Sequence, residues 1–210
     1  MPRVEVFILD HRLTEGIALL ALARWREDGR IEAGCITIDF WCEGIRTSEY
    51  VELSAEDEWS HYVFEVFNEE SHGDRMNPNC ARKLIEAAMA YGESNGFRPP
   101  GSFRKVKRIL NSAVPEACSE TWEFGRDGRP HYVPMDEDSV EQVDRILARL
   151  EAIHGPDGFT WEDPLAGPHE DTLPESAPPP PLPVVTPPPD AATIDAALEK
   201  ALRKLANGPE

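Results

Sequence analysis

The chain has 210 residues and a formal charge of -18, from 21 Lys and Arg against 39 Asp and Glu. An excess of that size repels polyanions, so any nucleic-acid contact has to rest on a local basic patch. Hydrophobic residues make up 40% of the chain, with 5 Trp, 8 Phe and 4 Tyr, enough for one core of ordinary size. No apolar run is long enough to span a bilayer, and the N-terminal residues lack the apolar stretch of a signal peptide. A cytoplasmic location is therefore expected.

In chain order, Val4 to Leu9 is a β-branched apolar run that reads as a first strand ending at Asp10-His11. Ile17 to Trp25 and Ile31 to Trp41 are apolar on both faces, as a sheet covered by helices requires. The Asp28-Gly29 dipeptide between them predicts an antiparallel hairpin, because it supplies the positive φ of the turn. Ser54-Ala55-Glu56-Asp57 predicts a helix start with Ser54 as N-cap, the helix running to about Asn68. Asn77-Pro78 opens a second helix, with Asn77 as cap and Pro78 in the first turn; Asn95-Gly96 stops it. Phe103, Val106, Ile109 and Leu110 mark a short third helix after Pro99-Pro100-Gly101. Glu120 to Phe124 and His131 to Val133 flank a second Asp-Gly turn and read as a second hairpin. From Asp138 to His154 a fourth helix is predicted, with a stripe of Val140, Val143, Ile146, Leu147 and Leu150. Gly158 to Trp161 reads as a closing strand or loop.

This order predicts an α+β domain over residues 1–163, a small, mainly antiparallel sheet with helices on one face. More than half of the 20 prolines then fall between Pro164 and Pro189, including the run Pro178 to Pro181. Such a stretch joins neither helix nor sheet, so residues 164–189 read as a disordered but stiff tether. Residues 190–208 recover helical character. At about 100° per residue, Ile194, Leu198, Ala201, Leu202 and Leu205 form one stripe, with Lys200, Arg203 and Lys204 toward the C-terminal end. A helix this short is marginal alone in water and needs a surface for its stripe. That points to docking on a partner protein or to self-association, through anchors at i, i+3/i+4 and i+7. Three cations and no aromatic anchor argue against a membrane.

Two segments resemble an uncharacterised bacterial protein family. Asp39-Phe40-Trp41-Cys42-Glu43-Gly44-Ile45-Arg46 is similar to its D-x-x-C-L-G-V-K pattern, and Phe124 to Val133 is similar to its F-G-K-D-G-K-P-x-Y-V segment. Ala81 to Ala88, with Gly96-Phe97-Arg98-Pro99, resembles that family's central helix. Glu43 stands where the family has leucine, and Pro134-Met135 replaces a Gly-Pro. The resemblance implies a shared fold over residues 1 to about 155 and assigns no catalytic role.

No nucleophile elbow and no Gly-rich phosphate loop is present. Cys35, Cys42, Cys80 and Cys118 are scattered without C-x-x-C spacing, so they read as reduced, packed thiols, with no metal and no cofactor expected. His11, His61, His72, His131 and His154 read as surface or core residues. The best enzymatic alternative is a ribonuclease H-like, metal-dependent nucleic-acid-processing enzyme in which the strand-end acids Asp10 and Asp39 converge on Mg²⁺. Arg104, Lys105, Lys107 and Arg108, with Arg126 and Arg129, form a charged patch suited to an acidic protein or, less well, to nucleic acid. The leading expectation is a non-catalytic interaction or regulatory module that contacts a partner protein through its tethered terminal helix.

Overall fold

The computed structural model describes residues 3–67, 73–135 and 138–162. The tether at 164–189 and the terminal helix at 190–208, with all five residues of its stripe, lie outside the described residues. Four strands run in chain order, β1 Val4–His11, β2 Ile17–Trp25, β3 Ile31–Asp39 and β4 Gly44–Leu53. Helix α1 Glu56–Val66 follows, then a two-residue strand β5 Asp74–Arg75 and helix α2 Pro78–Ser94. Helix α3 Phe103–Lys107 passes into a 3-10 turn, Arg108–Leu110, and a second such turn spans Pro115–Ala117. Strand β6 His131–Tyr132, helix α4 Val140–His154 and strand β7 Thr160–Trp161 complete the fold.

The main sheet is five-stranded in the order β4-β3-β2-β1-β5, every neighbour antiparallel. Together with the helices this is an α+β fold. Strands β2 and β3 are central and carry apolar side chains on both faces because both faces are covered. Ala18, Leu20, Leu22, Ile36 and Ile38 pack against Leu84, Ile85 and Ala88 of α2 and Val106 of α3. On the opposite face, Ala21, Ala23, Ile31 and Ala33 receive Trp59, Tyr62 and Val63 of α1. Helices α2 and α3 thus share one face, as expected, whereas α1 lies on the other.

The local signals hold at several places. Asn77 Oδ1 accepts the Asn79 amide at 2.9 Å and Pro78 sits in the first turn of α2. Ser139 caps α4, accepting from the Gln142 amide. At α1 the N-cap is Ala55 rather than Ser54; Glu58 Oε2 instead reaches back to the Ser54 amide at 2.7 Å. Val140 belongs to no buried stripe, being 73% exposed as the first residue of α4.

Three expectations are corrected. Strand β4 was not foreseen, since its middle reads Arg46-Thr47-Ser48-Glu49, and only pairing with β3 brings it into the sheet. The second hairpin is absent. Gly125 to Arg129 is indeed a tight turn, closed by Arg126 N–H to Arg129 O at 2.9 Å. Its flanks do not pair: Phe124 is stacked on Phe40 and Tyr91, each at 5.0 Å between ring centroids. His131–Tyr132 pairs instead, in parallel, with Thr160–Trp161. Burying two aromatic contacts outweighs the few ladder bonds a four-residue hairpin would add.

The third correction concerns the cysteines. Cys80 and Cys118 form a disulfide across 38 residues of sequence, joining the first turn of α2 to the segment after Pro115–Ala117. Cys35 and Cys42 are free, and burial pushes both thiols above their usual range. The cross-linked segment is also held by side chains of α2. Arg82 Nη1 donates to Ala113 O at 3.0 Å, and Lys83 Nζ to Cys118 O at 2.8 Å and Glu120 O at 2.7 Å.

Closing a loop of that length removes about 3–4 kcal/mol worth of unfolded-state freedom. Replacing both Cys80 and Cys118 by Ser is expected to lower the melting temperature by about 10 °C while the fold, anchored by Arg82 and Lys83, persists. Calorimetry of parent and variant, with and without reductant, checks this; reductant should not alter the variant.

Candidate functional site

The site begins with the turn from β3 to β4. Asp39 is 4% exposed, and its carboxylate accepts three backbone amides: Trp41 at 2.8 Å and Cys42 at 3.0 Å on Oδ1, and Glu43 at 3.0 Å on Oδ2. The turn then sits directly on α2. A Cβ at Gly44, where φ is 72°, would lie 2.1 Å from Ala88 O, so only glycine permits the approach. Tyr91 Oη donates to Trp41 O at 2.7 Å and Asn95 Nδ2 to Cys42 O at 2.8 Å.

A register shift follows at Thr37/Ile38, where β4 carries one extra residue, Arg46, between Ile45 and Thr47. A bulge re-aims side chains, and here it turns the Arg46 guanidinium inward, leaving its side chain 7% exposed. Arg46 Nη2 bonds Asp138 Oδ2 at 2.6 Å and its Nε lies 3.3 Å from Glu43 Oε1. The same Asp138 oxygen accepts Tyr132 Oη at 2.8 Å and the Met135 amide at 2.9 Å; Oδ1 accepts Gln142 Nε2 at 2.8 Å. One carboxylate thus ties together β4, β6 and α4.

Beside this network opens a cleft of about 370 Å³, lined by Ile17, Trp41, Val133 and Met135 and by Thr14, Glu15, Asp39, Arg46, Arg126 and Glu162. Trp41 forms its wall, pressed on one side against Gly16 and covered on the other by Arg126, whose Cζ is 4.8 Å from the ring centroid. Buried His131 stands edge-on to Trp41, 5.4 Å between centroids. Its Nδ1 is 2.7 Å from Thr160 Oγ1; its Nε2 is 2.9 Å from Arg126 Nη1 and 3.3 Å from Glu162 Oε1. Thr, His and Glu in a row suggest a nucleophile and its base, but Arg126 can only donate. Glu162 can only accept, so the two neighbours of Nε2 ask opposite roles of it, and the ring is held between Thr160 on one side and an Arg–Glu pair on the other.

The electrostatics of the cleft are those of spent charges. Glu43 is pushed up to about 7, by burial first, with Arg46 opposing and Asp39 and Asp138 adding to the rise. Burial likewise raises Tyr132 above its usual range, helped by its bond to Asp138.

Of the residues singled out from sequence, Asp39 lies in the cleft wall and Asp10 does not. Asp10 pairs with Ala18 and, through it, Ile38; Asp39 pairs with Ile17. Residues opposite one another share a face and neighbours along a strand alternate, so the two acids project to opposite faces. Asp10 is exposed, its carboxylate accepting the Arg12 amide at 3.1 Å. Among the described residues no three His, Cys, Asp or Glu side chains converge as a metal site.

The charged patch divides as well. Arg104, Lys105, Lys107 and Arg108 belong to the α2–α3 face, where Lys105 Nζ stands 5.3 Å over Tyr50 and Lys107 Nζ lies 3.9 Å from Glu86. Arg126 pairs with Glu162 at 3.2 Å on the cleft, and Arg129 Nη1 donates to Asp157 O at 3.4 Å. Sequence reasoning missed Arg46, His131, Asp138 and Glu162. The Arg46 signal was present in the resemblance segment; His131 and Glu162 are 31 residues apart and only β6–β7 pairing joins them.

No family model matches the chain, and neither curated proteins nor solved structures furnish a match.

The Glu43 shift has a defined consequence. A carboxyl whose folded pKa lies above its unfolded value binds protons more tightly when folded. Its contribution is present below about pH 4 and is lost as pH rises toward 7. Glu43→Gln cannot ionise, so relative to the parent it should gain stability across that window, by about 2–3 kcal/mol between pH 4.5 and pH 8. Urea unfolding at both pH values reads this; a constant difference contradicts it. Arg46→Met, which leaves buried Asp138 without its counter-charge, should cost about 3–5 kcal/mol at pH 7.

Proposed function

We propose that the chain is a non-catalytic interaction module that contacts a partner protein through the helix expected at 190–208, tethered by the proline tract. One structural observation supports the non-catalytic part of this reading: the polar groups gathered at the cleft are engaged with each other. Asp39 is used by three amides, Arg46 by Asp138 and Glu43, and His131 by Thr160 and the Arg126–Glu162 pair. A catalytic group needs a free lone pair or proton aimed at substrate. The nuclease alternative needs Asp10 and Asp39 on one metal, and their places on opposite faces weigh against it.

The contact part rests on the sequence stripe Ile194, Leu198, Ala201, Leu202 and Leu205. Burying three or four such side chains on a partner at roughly 1.5–3 kcal/mol each offsets the ordering of a short helix. No helix among the described residues is long and apolar enough to cross a membrane. The Cys80–Cys118 disulfide weighs against the expected cytoplasmic location, since such bonds persist mainly in oxidising compartments.

Affinity capture with the full chain, a chain ending at residue 175, and a Leu198→Asp/Leu202→Asp double variant tests the reading. The partner should be lost from both altered chains while their melting temperatures stay within about 1 °C of the parent. Undiminished capture defeats the proposal, and a drop of many degrees would make the helix part of a folded core. A Mg²⁺ or Mn²⁺ thermal shift that disappears in Asp10→Ala would favour the enzyme instead.

A further inference from the structure

His131 is fixed in its place at the cleft. Its ring is buried and edge-on to Trp41, with Nδ1 2.7 Å from Thr160 Oγ1. The backbone around it is held as well. The His131 amide donates to Trp41 O at 2.9 Å, the Thr160 amide to Pro130 O at 2.9 Å and the Glu162 amide to Tyr132 O at 2.9 Å. Arg126 belongs to a turn closed in both directions: its amide donates to Arg129 O at 2.9 Å, and its carbonyl accepts the Arg129 amide at 3.2 Å. A change in the charge of the ring therefore falls on side chains.

Two of those side chains compete for Nε2. Arg126 Nη1 at 2.9 Å requires a lone pair there, Glu162 Oε1 at 3.3 Å requires a proton, and no protonation state supplies both. Arg126 is the nearer, and a neutral ring with its proton on Nδ1 serves it. A proton taken from solvent at Nε2 reverses the preference, because an imidazolium donates to Glu162 and repels the guanidinium beside it. Thr160 Oγ1 can accept from Nδ1–H in either state, so the ring need not turn.

Arg126 and Glu162 have room to respond, their side chains being 46% and 55% exposed. The other charges of the cleft are held: Asp39 by three amides, and Arg46 by Asp138 and Glu43. Glu15, from the turn between β1 and β2, also lines the cleft and favours a cation in it. Arg126 is at the same time the cover of Trp41. Its Cζ lies 4.8 Å from the ring centroid, on a ring whose other side is pressed against Gly16.

We propose that His131 is a proton-operated clasp on the cleft: neutral, it holds Arg126 over Trp41; protonated, it turns Nε2 to Glu162, releases Arg126 and bares the Trp41 face. The cleft is thus covered on the alkaline side of the His131 transition and open on the acid side. The inference concerns the cleft alone and does not rest on the terminal-helix reading.

NMR of the isotope-labelled full chain between about pH 8.5 and about pH 5 tests it. At the alkaline end the ring proton should reside on Nδ1, and nuclear Overhauser effects should join the Arg126 side chain to the Trp41 ring. On acidification Nε2 should gain its proton, and those effects should disappear with the same midpoint. Glu162→Gln, an exposed change that removes the carboxylate acceptor, should move both events to lower pH. Glu43→Gln removes the carboxyl beside Arg46 that is pushed up to about 7, and should leave both events where they were. A neutral ring protonated on Nε2, a ring that stays neutral throughout, or an Arg126–Trp41 contact that survives protonation of His131 overturns the proposal. So does loss of the pH response in Glu43→Gln, which would make Glu43 the group that drives it.

Discussion

The structure depends on one buried carboxylate. Asp39 terminates β3 and gathers the amides of Trp41, Cys42 and Glu43 onto its two oxygens, forcing the chain to reverse within four residues. Because the turn is that tight, Gly44 can lie against Ala88 and Gly92 of α2, and Trp41 O and Cys42 O are presented to Tyr91 and Asn95. Burial raises the Asp39 carboxyl, opposed by the same amides and by Arg46. The donors that favour its charged form exist only in the folded turn.

From that turn the rest of the site follows in order. It delivers β4 to the edge of the sheet with one residue in excess, and the excess residue is Arg46. An arginine turned inward needs counter-charge, and Asp138 and Glu43 supply it, which in turn fixes the start of α4 and the strand end at Tyr132. Trp41, carried by the same turn, is where His131 and Arg126 come to rest, with the His131 amide donating to Trp41 O at 2.9 Å. The cleft is a by-product of a carboxylate cap and a bulge. That explains why its charges are paired internally.

How much of this can be read in advance depends on the range of the interaction. Helix α2 is legible because its signals are local: Asn77 and Pro78 at one end, Asn95 and Gly96 at the other. The β2–β3 hairpin is legible for the same reason, through Asp28-Gly29. The Asp127-Gly128 turn is equally real, yet its flanks are claimed by Phe40 and Tyr91, which no local signal announces. Asp39 stands out as a strand-end acid, a place where a cap and a metal ligand look alike in sequence; in the fold its carboxylate accepts three backbone amides. Cys80 and Cys118, and His131 and Glu162, are pairs made by topology across 38 and 31 residues, and nothing in their surroundings marks them as neighbours.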